Sequence, residues 1–291
     1  MRALRRWSII ILIAAVIVFA AYHIREKVIS DHIAPVITMD TASITVSAGA
    51  SDEQLLAGVT ATDDRDGDVT ENLIIESVSN FVEEDTRRMV IAAFDEAGHV
   101  TKAARDIIYS DYESPEFNLT EPLRFPVGTE DITLPLSVID MLDGDLSDKI
   151  KISGDYTLKN TAGDYTMLFV VTNSAGDSTK LEATVTLYDS QENYCPQFEL
   201  SDYLIRVPLG TDLDAMDYVQ SITVSGHVYK RSGNSAFVCT DSGISNSTIY
   251  ASSVIVDNVP NCAEPGTYEI TYRYSAYDYE GSVRLIVIVE D

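Results

Sequence analysis

Two short acidic phrases carry most of the chemistry this sequence offers. Asp63-Asp64-Arg65-Asp66-Gly67-Asp68-Val69-Thr70 returns 77 residues later as Asp140-Met141-Leu142-Asp143-Gly144-Asp145-Leu146-Ser147. Asp95-Glu96-Ala97-Gly98-His99 returns as Asn173-Ser174-Ala175-Gly176-Asp177 at an offset of 78. Calcium takes six to eight oxygen ligands, largely carboxylates and carbonyls. Asp63, Asp66 and Asp68 crowd one turn, as do Asp140, Asp143 and Asp145, and Asp95 and Asn173 occupy matching later turns that can approach from a neighbouring strand. Calcium is therefore the one cofactor the pattern offers. The phrase is not an EF-hand: with Gly67 at its sixth position, its first would be Thr62 and its twelfth Leu73, neither a carboxylate. The same residues also fit plain turn chemistry, since Asp and Gly are favoured where a chain reverses. Both readings stand at this stage.

Two phrases sharing one period imply duplicated modules, and the modules must position the turns. Pro35, Pro115 and Pro196 each open a strand-like stretch, and Gly49, Gly128 and Gly210 each follow the first strand. Within the modules apolar residues alternate with polar ones. Ile132, Leu134, Leu136 and Val138 form one such series; Leu181, Ala183, Val185 and Leu187 a second; Val283, Leu285, Val287 and Val289 a third. Period two means half-buried strands, and many short strands with frequent turns indicate β-sandwiches. The expected fold class is all-β: three tandem immunoglobulin-like sandwiches after one N-terminal helix, and no further amphipathic helix. The expected limits are 34–110, 111–190 and 194–291, the third module divergent and carrying an inserted hairpin. Modules joined so closely are expected to form a semi-rigid rod.

Pro-Val-Ile-Thr from Pro35, the glycine, Ala61-Thr62-Asp63-Asp64-Arg65-Asp66-Gly67-Asp68-Val69-Thr70 and Ala93-Phe94-Asp95-Glu96-Ala97-Gly98-His99 together resemble the bacterial surface immunoglobulin-like domain. That type also occurs in a pesticidal crystal protein and in many Gram-positive surface proteins. The second module fits throughout; the first lacks a Gly-x-Tyr; the third keeps Gly266-Thr267-Tyr268 but has no Asp-Gly-Asp. The tyrosine of Gly163-Asp164-Tyr165 and of Gly266-Thr267-Tyr268 is similar to the tyrosine corner of such sandwiches. The resemblance implies spacer or adhesive modules without catalytic activity.

Arg2, Arg5 and Arg6 precede an apolar run from Trp7 through Ile24. Eighteen residues at about 1.5 Å each span roughly 27 Å, against a hydrocarbon core of about 30 Å. The expectation is a cytoplasmic tail (1–6), a transmembrane signal-anchor (7–24), a linker (25–33) and extracellular modules held to the membrane by the N-terminal helix. A cleaved signal peptide, ending near Val18-Phe19-Ala20, is the competing reading and would give a secreted protein. The net charge of −26, with the basic residues 1–27 working against it, excludes a nucleic-acid footprint. No His-Glu-x-x-His, Gly-x-Ser-x-Gly or phosphate-binding glycine loop occurs, so no enzyme is expected.

Contacts with an unknown extracellular protein or glycan are expected from the inserted hairpin, through Tyr229, Lys230, Arg231 and Phe237. Tyr268, Tyr272 and Tyr274 share one strand face, which fits either a tyrosine platform or a sandwich core. Of three cysteines, Cys239 and Cys262 are the preferred disulfide pair, leaving Cys195 free. The functional expectation is a non-catalytic protein whose first two modules form a stalk for a distal binding or adhesion module. A purely structural spacer, or an accessory subunit of a membrane complex, is the second reading. A calcium-dependent adhesin is the third.

Overall fold

The computed structural model describes residues 2–29, 31–153, 160–189, 194–239, 241 and 247–290, and the side chains of its first helix over 7–23. The chain forms two compact units, Met1–Tyr112 and Glu113–Asp291. The first opens with helix α1 (Arg2–Ile29). Among the described residues no helix is long and apolar enough to cross a membrane. The expected single-pass anchor, and the cell-membrane placement built on it, are corrected accordingly.

The first sandwich comprises β1 (Val36–Met39), β2 (Ser43–Val46), the single-turn helix α2 (Asp52–Leu55), β3 (Val59–Asp63), β4 (Gly67–Asp68), β5 (Ile74–Glu83), β6 (Thr86–Phe94) and β7 (Val100–Tyr109). Its opening strand is broken in two. β1 runs antiparallel to β3 in one sheet, while β2 crosses to the other sheet and runs parallel to β7. The sheet orders are β1-β3-β4 and β2-β7-β6-β5. Helix α2 was not expected. Ser51 caps it and Gln54 bonds back to the Ser51 N–H, a capping box that sustains one turn with Leu55 buried beneath it.

The second sandwich repeats the break. β8 (Glu116–Leu119) pairs antiparallel with β10 (Leu136–Asp140), and β9 (Arg124–Pro126) pairs parallel with β14 (Ser178–Tyr188). β11 (Gly144–Asp145), β12 (Lys151–Ser153) and β13 (Gly163–Thr172) complete the sheets β11-β10-β8 and β12-β13-β14-β9. The third repeats it again. β15 (Gln197–Leu200) lies antiparallel to β17 (Val219–Val224), and β16 (Leu204–Pro208) parallel to β23 (Tyr279–Glu290). The expected insertion is the hairpin β18 (His227–Ser232) and β19 (Ala236–Cys239). With β20 (Thr248–Tyr250) it widens one sheet to five strands, opposite a sheet that also holds β21 (Ile255–Asp257) and β22 (Gly266–Ala276).

Alternation sorts the core. Leu181, Ala183, Val185 and Leu187 are all buried, as are Val283, Leu285, Val287 and Val289. The series from Ile132 departs from expectation: Leu134 is 77% exposed. Pro135 has no N–H for a ladder, and the Leu136 N–H donates back to the Thr133 carbonyl at 2.8 Å. The chain turns there, so the strand begins only at Leu136. The tyrosine corners form: the Tyr165 and Tyr268 hydroxyls donate to the carbonyls of Thr161 and Glu264 at 2.9 and 3.0 Å.

Within the unit Glu113–Asp291 the two sandwiches share a flank. Ile286 is buried although it lies on the outer face of β23, because it and Leu204 join the apolar cluster of the second sandwich. Three arginines border this seam. Arg124 donates to the Ser282 carbonyl at 3.1 Å, Arg206 to the Phe117 carbonyl at 2.8 Å, and Arg284 to Asp164 at 2.5 Å. Two stacked sandwiches fused this way explain why β23 is apolar on both faces. Ile286→Ala is expected to lower the unfolding free energy of this unit by about 2–4 kcal/mol, in the range for large-to-small core changes; denaturant unfolding checks it.

Candidate functional site

The acidic turns are built on one frame. The first aspartate of each is buried at the end of a core strand, and its Oδ1 accepts two backbone N–H groups. Asp63 accepts from Arg65 and Asp66 at 2.9 and 3.0 Å; Asp140 accepts from Leu142 and Asp143 at 2.9 and 2.7 Å. The middle aspartate reaches across to the later turn. Asp66 Oδ2 accepts the Glu96 N–H at 2.8 Å, and Asp143 Oδ2 accepts the Ser174 N–H at 2.6 Å. The last aspartate holds the following residue: Asp68 accepts from the Thr70 N–H at 3.0 Å and Asp145 from the Ser147 N–H at 2.9 Å. Hydrogen bonds from Thr70 and from Ser147 keep these two carboxyls below the ordinary range. The later turn closes on itself, with Asp95 Oδ1 accepting the His99 N–H at 2.7 Å and Asn173 Oδ1 the Asp177 N–H at 3.0 Å.

The frames differ at one atom. In the second sandwich the Asn173 amide donates to Asp140 Oδ2 at 3.0 Å, satisfying the buried carboxylate. In the first sandwich Asp95 stands where Asn173 does and has no hydrogen to give. Its Oδ2 instead meets His99 Nδ1 at 2.6 Å. Burial alone would raise the Asp95 carboxyl, but the His99 ring and the His99 and Gly98 N–H groups outweigh it and hold it below the ordinary value. His99 is raised by its bond to Asp95 against the opposing effect of burial, with the charges of Asp95, Asp31 and Asp63 adding to the rise. Asp63 Oδ2 is left buried without a hydrogen-bond partner.

A residue outside the expected set approaches this carboxylate. Asp31 lies in the segment before β1, and one carboxylate oxygen from each of Asp31, Asp63 and Asp66 lies within 4.8 Å of the others. Asp31 Oδ2 is likewise buried and unpartnered. The aspartate equally placed before the second module, Asp111, is committed elsewhere, accepting the Ser47 hydroxyl and the Ala48 N–H at 2.7 and 2.8 Å.

The expected ligand contacts on the hairpin are mostly structural. Phe237 is 1% exposed and belongs to the core. The Tyr229 hydroxyl pairs with Ser247 Oγ at 2.9 Å, and Arg231 is tied to the Met216 carbonyl and to Asp217. Lys230 alone of the four is exposed, beside a shallow polar groove with Glu199, Gln220 and Ser221. On β22, Tyr272 is fully buried and donates to the Ala215 carbonyl at 2.6 Å, its hydroxyl pushed up by burial, so this face is core. Exposed tyrosines lie elsewhere and include a group near the β22–β23 turn: Tyr194 and Tyr279 stack at 5.5 Å, and Tyr277 is 84% exposed. The expected Cys239–Cys262 disulfide is not formed. Cys262 lies buried in the third sandwich's apolar core, with its thiol nearest the Pro260 carbonyl, whereas Cys239 sits half-buried on the added strand β19.

No family model matches the chain. An uncharacterized 81.3 kDa protein of Acholeplasma phage L2 is 26% identical over 134 residues, covering 44% of this chain and 18% of that protein. Among solved structures, the CBM51-2 (in complex with GlcNAc) and INT domains of Clostridium perfringens ZmpB align at 15% identity and a TM-score of 0.22, over 57% of this chain and 29% of that one. The extracellular cadherin domains 1–5 of protocadherin gamma B2 align at 14% identity and a TM-score of 0.18, over 89% and 60%. The lipoprotein BT2262 of Bacteroides thetaiotaomicron aligns at 11% identity and a TM-score of 0.22, over 59% and 98%. These scores are too low to carry an assignment of function.

The second turn gives a direct test of the frame. Asn173→Asp removes the amide that satisfies Asp140 and sets two carboxylates against each other. A loss of about 1–3 kcal/mol is expected for the unit Glu113–Asp291 in denaturant melts at neutral pH, from one buried acceptor left unpaired.

Proposed function

We propose that the chain is a non-catalytic binding protein of the adhesion type, in which repeated β-sandwiches carry a contact surface on the third. The expected hairpin contacts give way to the tip of β22 and β23. The observation that supports this reading is the aromatic group there. Tyr194 and Tyr279 stack with their planes 27° apart, and Tyr277 stands out in the turn with φ of 57°. That backbone region is uncommon for a residue with a side chain, and a glycine would hold the turn with less strain. A large ring kept in water at a strained turn is better suited to contact than to folding. Tyrosine supplies rigid, amphipathic area at low entropic cost, suited to a protein surface or a sugar face.

The scaffold behind the tip is stiff. Gly281 is buried on β23, two residues from Tyr279, and a β-carbon there would collide with the Pro196 carbonyl oxygen. This close approach pins the base of the tip to the start of the third sandwich, beside Tyr194.

The labelled full chain, passed over an array of immobilised glycans and peptides, is expected to be retained by at least one ligand. The Tyr277→Ser/Tyr279→Ser double variant is expected to bind that ligand about tenfold more weakly, equivalent to about 1.4 kcal/mol. Equal retention by the variant, or no retention of the parent chain by any ligand, would leave the spacer reading in its place.

A further inference from the structure

The geometry points to a hard divalent cation, of calcium size, held in the first sandwich by Asp31, Asp63 and Asp66 and by no equivalent site in the second. This goes beyond the binding role proposed above and is independent of it. Three carboxylate oxygens lie within 4.8 Å of one another. Oxygens bound to one calcium ion at about 2.3–2.6 Å cannot be more than about 5 Å apart, so a single ion can reach all three. The donor set is oxygen only, which suits calcium rather than a transition metal.

Crowded acids are common on so acidic a chain, and the cluster alone would mean little. The second observation is the state of Asp63. It is 8% exposed, its Oδ1 is saturated by two backbone N–H groups, and its Oδ2 is sealed from water without a partner. A buried, unpaired carboxylate oxygen is costly unless a proton donor or a cation meets it. The second sandwich shows what satisfying this atom requires, because there the Asn173 amide does so. In the first sandwich no amide stands in that place, and the group that approaches is another carboxylate, Asp31, with its own buried unpartnered oxygen. Two carboxylates this close, each with a buried unpartnered oxygen, call for positive charge between them.

The remaining neighbours leave this point open. Both Asp95 oxygens are engaged by His99, and Asp66 holds the Glu96 N–H through Oδ2. Asp31 Oδ1 accepts the Ile33 N–H at 3.0 Å, which fixes its carboxylate without using Oδ2. The ion would therefore tie the segment before β1 to the acidic turn, ordering the entry to the first sandwich. The paired turns divide the two readings of the sequence between them: the second is turn chemistry complete in itself, and the first is a turn that takes a metal.

The test is thermal unfolding of the full chain in chelator and in millimolar calcium chloride at matched ionic strength. The transition of the first unit is expected to rise by roughly 5–10 °C with calcium and by less with magnesium, which prefers fewer protein ligands. Asp31→Asn keeps the Oδ1 acceptor and offers an amide toward Asp63, so it is expected to abolish the calcium response while melting no lower than the parent in chelator. Asp145→Asn, in the second turn, is expected to keep the full response. Absence of a calcium-dependent rise, a rise that Asp31→Asn retains, or one that Asp145→Asn removes would each overturn the site.

Discussion

A carboxylate buried at the end of a core strand must be satisfied, and both acidic turns of this chain are organised around that demand. Asp63 and Asp140 each gather two backbone N–H groups on one oxygen, which fixes the turn. The middle aspartate then clamps the later turn, so two loops from different strands are joined through acid-to-amide bonds. Hydrogen bonds to charged acceptors contribute more than neutral ones, and here they replace apolar packing at the end of a small sandwich. One oxygen remains over in each frame. How it is met separates a self-contained turn from one that invites a cation.

The second organising feature is the broken opening strand. In all three sandwiches its first half pairs antiparallel in one sheet and its second half pairs parallel in the other. A strand that serves both sheets ties them together at one edge. In the third sandwich the second half also supplies Leu204 to the seam with its neighbour, opposite the bonds of Arg124, Arg206 and Arg284. A chain of net charge −26 with 20 basic residues has few cations to spend. Three of them border this seam, where carbonyls and acids would otherwise face one another unpaired.

The repeat, the β-class and the apolar alternation were legible because a two-residue period has a direct geometric meaning. The failures have local causes. Leu134 looked like a strand residue because alternation ignores the missing N–H of Pro135. Phe237 and Tyr229 looked like ligand contacts because an inserted hairpin suggests a loop, whereas here it joins the sheet and buries its apolar side. Asp31 was missed because it lies outside the acidic phrases, and its counterpart Asp111 is committed elsewhere; proximity across the fold leaves no mark on sequence spacing. The Asp95-for-Asn173 exchange was visible throughout; its meaning needed the distance from that amide to Asp140. The Ser51–Gln54 capping box was also visible and marked a single helical turn. The N-terminal apolar run was read as a membrane span on hydropathy, a reading the described helix does not sustain.

The central claim is that two turns of one design hold opposite electrostatic states. Crystals of the full chain grown with terbium in place of calcium would show this directly by anomalous scattering. The account predicts a peak between Asp31, Asp63 and Asp66 and none at the turn formed by Asp140, Asp143 and Asn173. A peak at the second turn, or none at the first, would contradict it.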